Sequence, residues 1–245
     1  MKTDFLGSIT NNELGKLKLI PGKEHKFWFH QHQLQFILHN ISKDYLVLDV
    51  NGESQQPCTT AYYDTNGNEM YLMHHNGCSK RCKIRHRSNL ATGQDFLEIK
   101  FTTSKGRTVK KRMRATHGNR FFSKVEADFI QANVKFRCED LKHALCVRFT
   151  RIVLVSKDGK ERCSVDMNLI SKTATNVVSF ENLVIMRIKT DRDLTMSTMA
   201  RTLKAHHIAS VGFSKYCMGR TLLDHGLKQN AFKAKVRQIE RIIAG

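Results

Sequence analysis

The feature that most constrains this chain is a cation at every second position, repeated in several separate segments. In Cys82-Lys83-Ile84-Arg85-His86-Arg87, the residues Lys83, Arg85 and Arg87 share one phase while Cys82 and Ile84 share the other. Side chains of an extended strand alternate between faces, so a period of two builds a charged row backed by an apolar one. The pattern returns at 96–101, where Leu97, Ile99 and Phe101 oppose Glu98 and Lys100. At 162–167, Arg162, Ser164 and Asp166 oppose Cys163, Val165 and Met167; at 184–189, Arg187 and Lys189 oppose Val184, Met186 and Ile188. Such strands have two solutions. One is an open sheet with its charged face in water; the other is a closed barrel with a polar lumen and helices packed outside, which also removes reactive edges.

Period-two segments near 24–30, 44–51, 58–65, 81–88, 95–103, 108–115, 145–156, 161–169 and 183–190 predict strands. Ser104-Lys105-Gly106 and Lys157-Asp158-Gly159-Lys160 carry hairpin turn chemistry. Helices are expected over about 31–42, from Ser123 (whose spacing to Glu126 suits a capping box), over about 197–208, from Ser214 to Gly226, and over about 231–243. Strand runs mixed with peripheral helices give an α+β class dominated by an antiparallel sheet. With two prolines and no repeat or low-complexity linker, the chain reads as one domain over 1–245, with a core of about 22–218 and a C-terminal helix.

Lys and Arg number 41 against 22 Asp and Glu, a formal charge of +19. That excess points to acidic partners: nucleic acid, anionic lipid or phosphate-rich ligands. The basic strands carry few of the aromatic platforms that single-stranded nucleic acid uses, which ranks nucleic acid last. Seven scattered cysteines read as buried or idle thiols, although the Cys78–Cys82 spacing leaves a metal pair open. No apolar run approaches the roughly 18 residues of a membrane span. Met1-Lys2-Thr3-Asp4 leads into a polar stretch unlike a secretory signal, so a reducing cytoplasm is the expected compartment.

A family resemblance rests on motifs in order. Tyr62-Tyr63-Asp64-Thr65 followed by Lys83-Ile84-Arg85-His86-Arg87 resembles the "Y-[FY]-D-T … R-x-R" signature of triphosphate tunnel enzymes, in the subtype of the vacuolar transporter chaperone (VTC) domain. Glu24-His25-Lys26-Phe27 is similar to "E-R-K-F", 96–100 to "F-L-E-x-K", 110–112 to "K-x-R", 149–151 to "Y-x-R" and 162–166 to "R-x-T-x-D". Phe213-Ser214-Lys215-Tyr216 matches "F-S-K-Y" as it stands. The resemblance implies an antiparallel closed barrel enclosing a basic tunnel. It implies a polyphosphate polymerase reaction in which phosphoryl groups from ATP or another nucleoside triphosphate extend a polyphosphate chain with Mn²⁺ or Mg²⁺. Carried over position by position, Lys26, Arg85, Arg87, Lys100, Lys110, Arg112, Arg162, Lys189 and Ser214 would bind phosphates, with Arg187 as an extra cation. Lys215 and Arg151 would stand at the reacting centre.

One departure bears on the metal. Where the family's late strand reads roughly "L-E-x-K", this chain has Met186-Arg187-Ile188-Lys189, so a guanidinium replaces a carboxylate ligand. Glu98 and Asp166 are then the remaining metal candidates. Structural readings stand beside these: Glu98 in a cross-strand ion pair with Lys100, Asp166 holding Arg162 in its rotamer, and Asp64 organising the turn at 65–67. Adjacent histidines His74–His75 and His206–His207, taken as strand neighbours, would face opposite ways and share no metal. The basic residues Lys233, Lys235, Arg237 and Arg241 read as a solvated helix face. An alternative to catalysis is a receptor that binds triphosphate or polyphosphate on the same scaffold without turnover.

Overall fold

A computed structural model describes residues 2–16, 22–103, 108–115 and 122–244. The chain runs through β1 (Gly7–Thr10), α1 (Asn11–Lys16), β2 (Lys23–His30), α2 (Leu34–Asn40), β3 (Tyr45–Asp49), β4 (Gln56–Thr65), α3 (Glu69–His75), β5 (Arg81–Asn89), β6 (Gln94–Thr102) and β7 (Thr108–Arg114). It continues with α4 (Lys124–Gln131), β8 (Leu141–Ser156), β9 (Glu161–Lys172), β10 (Val177–Phe180), β11 (Leu183–Thr190), α5 (Thr198–Ala205), α6 (Lys215–Leu223) and α7 (Lys233–Ala244). All nine predicted strands are present. The hairpin turn at 157–160 joins β8 to β9, with Gly159 at φ 72° and its amide on the Ser156 carbonyl. The turn predicted at 104–106 lies outside the described residues.

The main sheet follows the order β2-β11-β9-β8-β4-β5-β6-β7, all antiparallel; β3, β10 and the parallel partner β1 attach to its side. This sheet is strongly curled. Arg112 on β7 and Arg162 on β9 lie five ladders apart, about 24 Å on a flat sheet, yet the charge of one bears on the other. Glu24 on β2 likewise feels Lys100 on β6. The predicted α+β class and antiparallel tunnel sheet are present as a half-barrel: among the described residues no ladder joins the edge strands β2 and β7.

The apolar phase faces outward and is covered by helices. Phe27, Phe29, Cys163, Val165, Val184, Met186 and Ile188 pack under α2 and α5 through Leu34, Ile37, Leu38, Met199 and Leu203. Cys82, Ile84, Leu97 and Ile99 pack against Ile130 of α4 and Met70 of α3. Thus α4 begins as its sequence predicts: Ser123 accepts from the Glu126 amide while the Glu126 carboxylate takes the Ser123 amide, closing a capping box. At one end of the concave side, Trp28, Tyr62, Leu145, Phe149 and Ile185 pack with Phe213, Tyr216 and Cys217, so α6 lies across the trough. Gly219 permits that approach, since a Cβ there would sit 2.7 Å from Leu145 Cδ2.

Helix α3 departs from the sequence expectation. Its first-turn amides at Met70 and Tyr71 donate to the carboxylate of Asp64, as does the Thr65 amide. Tyr216 donates its hydroxyl to the same carboxylate from α6. Asp64 therefore does more than shape the 65–67 turn; it ties β4, α3 and α6 together while fully buried. Because the capping group belongs to the preceding strand and Asn68 sits at φ 56°, no local signature announces the helix. His74 and His75 accordingly lie in the last turn of a helix, and His206–His207 follow the end of α5; the strand geometry assumed for both pairs does not hold.

Candidate functional site: a cationic trough

Register explains how the alternating cations meet. Across the ladders, Lys26 pairs with Arg187, Arg187 with Ser164, Lys189 with Arg162, Arg151 with Asp166 and Arg85 with Glu98. On β6 and β7, Glu98 pairs with Arg112 and Lys100 with Lys110. All belong to the phase opposite the helix-covered core, so they face the concave side. Lys215 joins them from the first turn of α6. Arg85 and Arg187 both bear on Arg151, Lys215 or Lys100, which places the charges of β5, β6, β8, β11 and α6 in one volume.

Three carboxylates hold this array in place. Asp166, expected to fix Arg162, instead accepts Nε and Nη2 of Arg151 at 2.6 and 2.8 Å and also pairs with Lys215. Arg162 lies four residues along the same strand, on the far side of Ser164, and makes no ion pair among the described residues. Glu98, expected opposite Lys100, shares a strand and a face with it and cannot be its cross-strand partner. It takes Arg85 Nε at 2.9 Å, with Lys110 at 3.5 Å and Arg87 at 3.7 Å. Glu24 lies 3.3 Å from Lys26 and 3.7 Å from Arg187, and Lys100 acts on it from across the trough.

The remaining cations are placed as follows. Lys26 donates to the Phe213 carbonyl at 3.1 Å. Arg112 stacks over Phe96, 4.8 Å from the ring centroid. Phe149, at a position where a tyrosine was expected, lies under Lys215 Nζ at 4.0 Å and Arg151 at 5.0 Å, and its ring face attracts both cations. Ser214 caps α6 by accepting from the Cys217 amide at 3.3 Å, and Lys189 is exposed at the rim of β11. Two residues read from the sequence were given no role at the site: Glu24 and Lys83. Both sit in the cationic phase of their strands, two residues from Lys26 and Arg85, and strict alternation would have included them.

Burial and mutual repulsion leave Lys83, Lys100 and Lys215 easy to deprotonate. Desolvation, against Glu24 and with Arg85, Arg187 and Lys26 nearby, lowers Lys100 to about 7. Desolvation with Arg151 and Arg187 brings Lys215 to about 7 despite Asp166. Lys83, desolvated beside Lys26, Arg81 and Arg85, falls to about 8. Glu98 is lowered as well, to about 2, which favours its charged form, because Arg85, Lys110 and Arg87 outweigh its desolvation. An arriving polyanion favours the charged lysines, so these groups should take up protons on binding, and affinity should weaken as they deprotonate from about pH 7 to 9. Calorimetric titration of tripolyphosphate in buffers of different ionisation enthalpy reads this directly. A flat affinity with no proton uptake would contradict it.

Mg²⁺ and Mn²⁺ require clustered oxygen ligands. Among the described residues no three His, Cys, Asp or Glu side chains group to form such a site. Both oxygens of Asp166 are engaged by Arg151, both of Glu98 face cations, and Glu24 sits against Lys26 and Arg187. These side chains organise cations, and the donor set does not suit a divalent ion held by the protein. All seven cysteines are free thiols, and among the described residues no helix is long and apolar enough to cross a membrane.

Comparison with known proteins agrees with this architecture. The family described as VTC domain matches residues 22–224. No curated protein matches the sequence. Among solved structures, HpAC1 from Hippeastrum, called a candidate adenylyl cyclase and described as having a dominant triphosphatase activity, aligns over 81% of this chain and 94% of its own. Identity is 12% and the TM-score 0.52. A candidate adenylate cyclase from Vibrio parahaemolyticus aligns over 80% and 97%, at 10% identity and a TM-score of 0.48. At such identity the first likeness speaks for the fold alone.

Proposed function

This chain belongs to the VTC domain family, and we propose that its trough binds the phosphate chain of triphosphates and polyphosphate. One observation carries the reading. Lys26, Lys83, Arg85, Arg87, Lys100, Lys110, Arg112, Arg151, Arg162, Arg187 and Lys215 share a concave face with only Glu24, Glu98 and Asp166 among the described residues. That leaves a formal excess of eight positive charges with every lysine protonated, as a bound polyanion favours, more than a fully ionised triphosphate neutralises. Two guanidiniums, those of Arg151 and Arg85, are held by a carboxylate through Nε and one Nη. These carboxylates fix the planes of both groups, and Arg85 Nη1 is further held by the Tyr62 hydroxyl at 3.3 Å, which preorganises them for phosphate oxygens.

The reaction we assign is polyphosphate synthesis, supported by family membership and by the ordered motifs. A terminal oxygen of the polyphosphate attacks the γ-phosphorus of ATP, the bond to the β–γ bridging oxygen breaks, and the nucleoside diphosphate leaves with its electron pair. Such transfer depends mainly on positioning and on charge stabilisation at the equatorial oxygens. Lys215 and Arg151, adjacent through Asp166, suit that task at the mouth of α6. The second reading, a receptor without turnover, is favoured by Arg187, which occupies the expected metal-ligand position.

Incubation of the protein with ATP and Mn²⁺, followed by a polyphosphate assay, separates the readings. Chain growth supports synthesis. Submicromolar tripolyphosphate binding without product or hydrolysis supports the receptor. Absence of binding at low salt would remove both, because exposed charge alone loses its grip only as ionic strength rises.

A further inference from the structure

We infer that the trough recognises its phosphate chain as the free, metal-uncomplexed anion, with Arg187 serving where a divalent cation would otherwise neutralise the ligand. This deepens the proposed function and rests on it. Arg187 lies at the centre of the array, paired in register with Lys26 on one side and Ser164 on the other. Its Nη2 donates to Ser164 Oγ at 3.2 Å and its Nη1 lies 3.7 Å from Glu24 Oε2, so the guanidinium is tethered on both flanks.

A Mg²⁺–triphosphate complex entering this volume would bring its cation close to a fixed guanidinium. Coulomb repulsion there is screened less than in bulk water. The free anion meets no such cost and retains more charge for the surrounding cations. The carboxylates offer the metal little compensation, because Glu24 and Asp166 are occupied by Lys26 and by Arg151 with Lys215. The geometry points to the bare form as the preferred ligand.

The test is calorimetric titration of the full chain with sodium tripolyphosphate, once in EDTA and once with excess Mg²⁺. Binding at least tenfold tighter in EDTA supports the inference. Binding that needs Mg²⁺ or Mn²⁺, or is strengthened tenfold by either, overturns it while leaving the functional reading intact. No binding in either condition overturns both. Arg187→Glu should invert the order, weakening binding in EDTA and gaining affinity when Mn²⁺ is added. Should that variant fail to fold, Arg187→Gln provides the same comparison. It should lose about tenfold in EDTA and little in Mg²⁺; equal losses in the two conditions would count against a role in replacing the metal.

Discussion

Arg151→Met should abolish high-affinity tripolyphosphate binding, with a loss of about 100-fold, and should also destabilise the fold. Arg151 is buried, and it spends Nε and Nη2 on Asp166 while Nη1 is left for a ligand. Removing it deletes a charge-assisted contact worth about 1.5–3 kcal/mol. It also leaves Asp166 with Lys215 as its sole ion-pair partner among the described residues, so an incoming phosphate meets a less compensated carboxylate. Stability should fall by about 3 kcal/mol, the cost of breaking a buried pair from one side. The double variant Arg151→Met/Asp166→Leu should recover most of that stability without recovering binding. Calorimetry and thermal melts measure the two effects separately. A single variant that binds within threefold of the parent would show that Arg151 is a scaffold and not a phosphate ligand.

Asp64→Asn should lower the melting temperature by about 10 °C, the largest effect expected away from the cations. The carboxylate accepts from the amides of Thr65, Met70 and Tyr71 and from the Tyr216 hydroxyl. An amide retains the shape but offers one oxygen and a surplus donor, so at least two of those donors are left unpaired inside the protein. Each such loss costs about 1–3 kcal/mol, and a chain of this size shifts by about 2–4 °C per kcal/mol. Tyr216→Phe removes only one of the four bonds and should shift the melt by a third as much. Differential scanning calorimetry on both variants decides the matter; a shift under 2 °C in Asp64→Asn would mean that water replaces the carboxylate. Since Lys215 precedes Tyr216, loosening this anchor should also weaken phosphate binding.

Much of the trough was legible one strand at a time. Alternation assigned Arg85, Arg87, Lys100, Arg162 and Arg187 to a single phase, and the ordered motifs placed those strands in a known family. The ion pairs were legible too, from a signal left unused. Counting outward equally from a turn centred on Asp158 and Gly159 brings Arg151 opposite Asp166, as the ladder does. Counting from a turn at 90–93 brings Arg85 opposite Glu98. Pairing Asp166 with Arg162 instead followed nearness in sequence, which on a strand places two residues on one face but about 13 Å apart. Helix α3 was not legible, because its cap comes from a strand residue and its fourth donor from a helix about 150 positions away.

By itself the sequence determined which side chains share a face, where several helices begin, and that the charged phase exceeds its own carboxylates. These are consequences of backbone period and of local hydrogen bonding, which act over a few residues. Only the tertiary structure decided how far the sheet curls, that Arg112 and Glu24 reach strands five and six ladders away, and that α6 carries Lys215 to Asp166. Curvature depends on the packing of outer helices and on strand twist summed over the sheet, and no single segment encodes that sum.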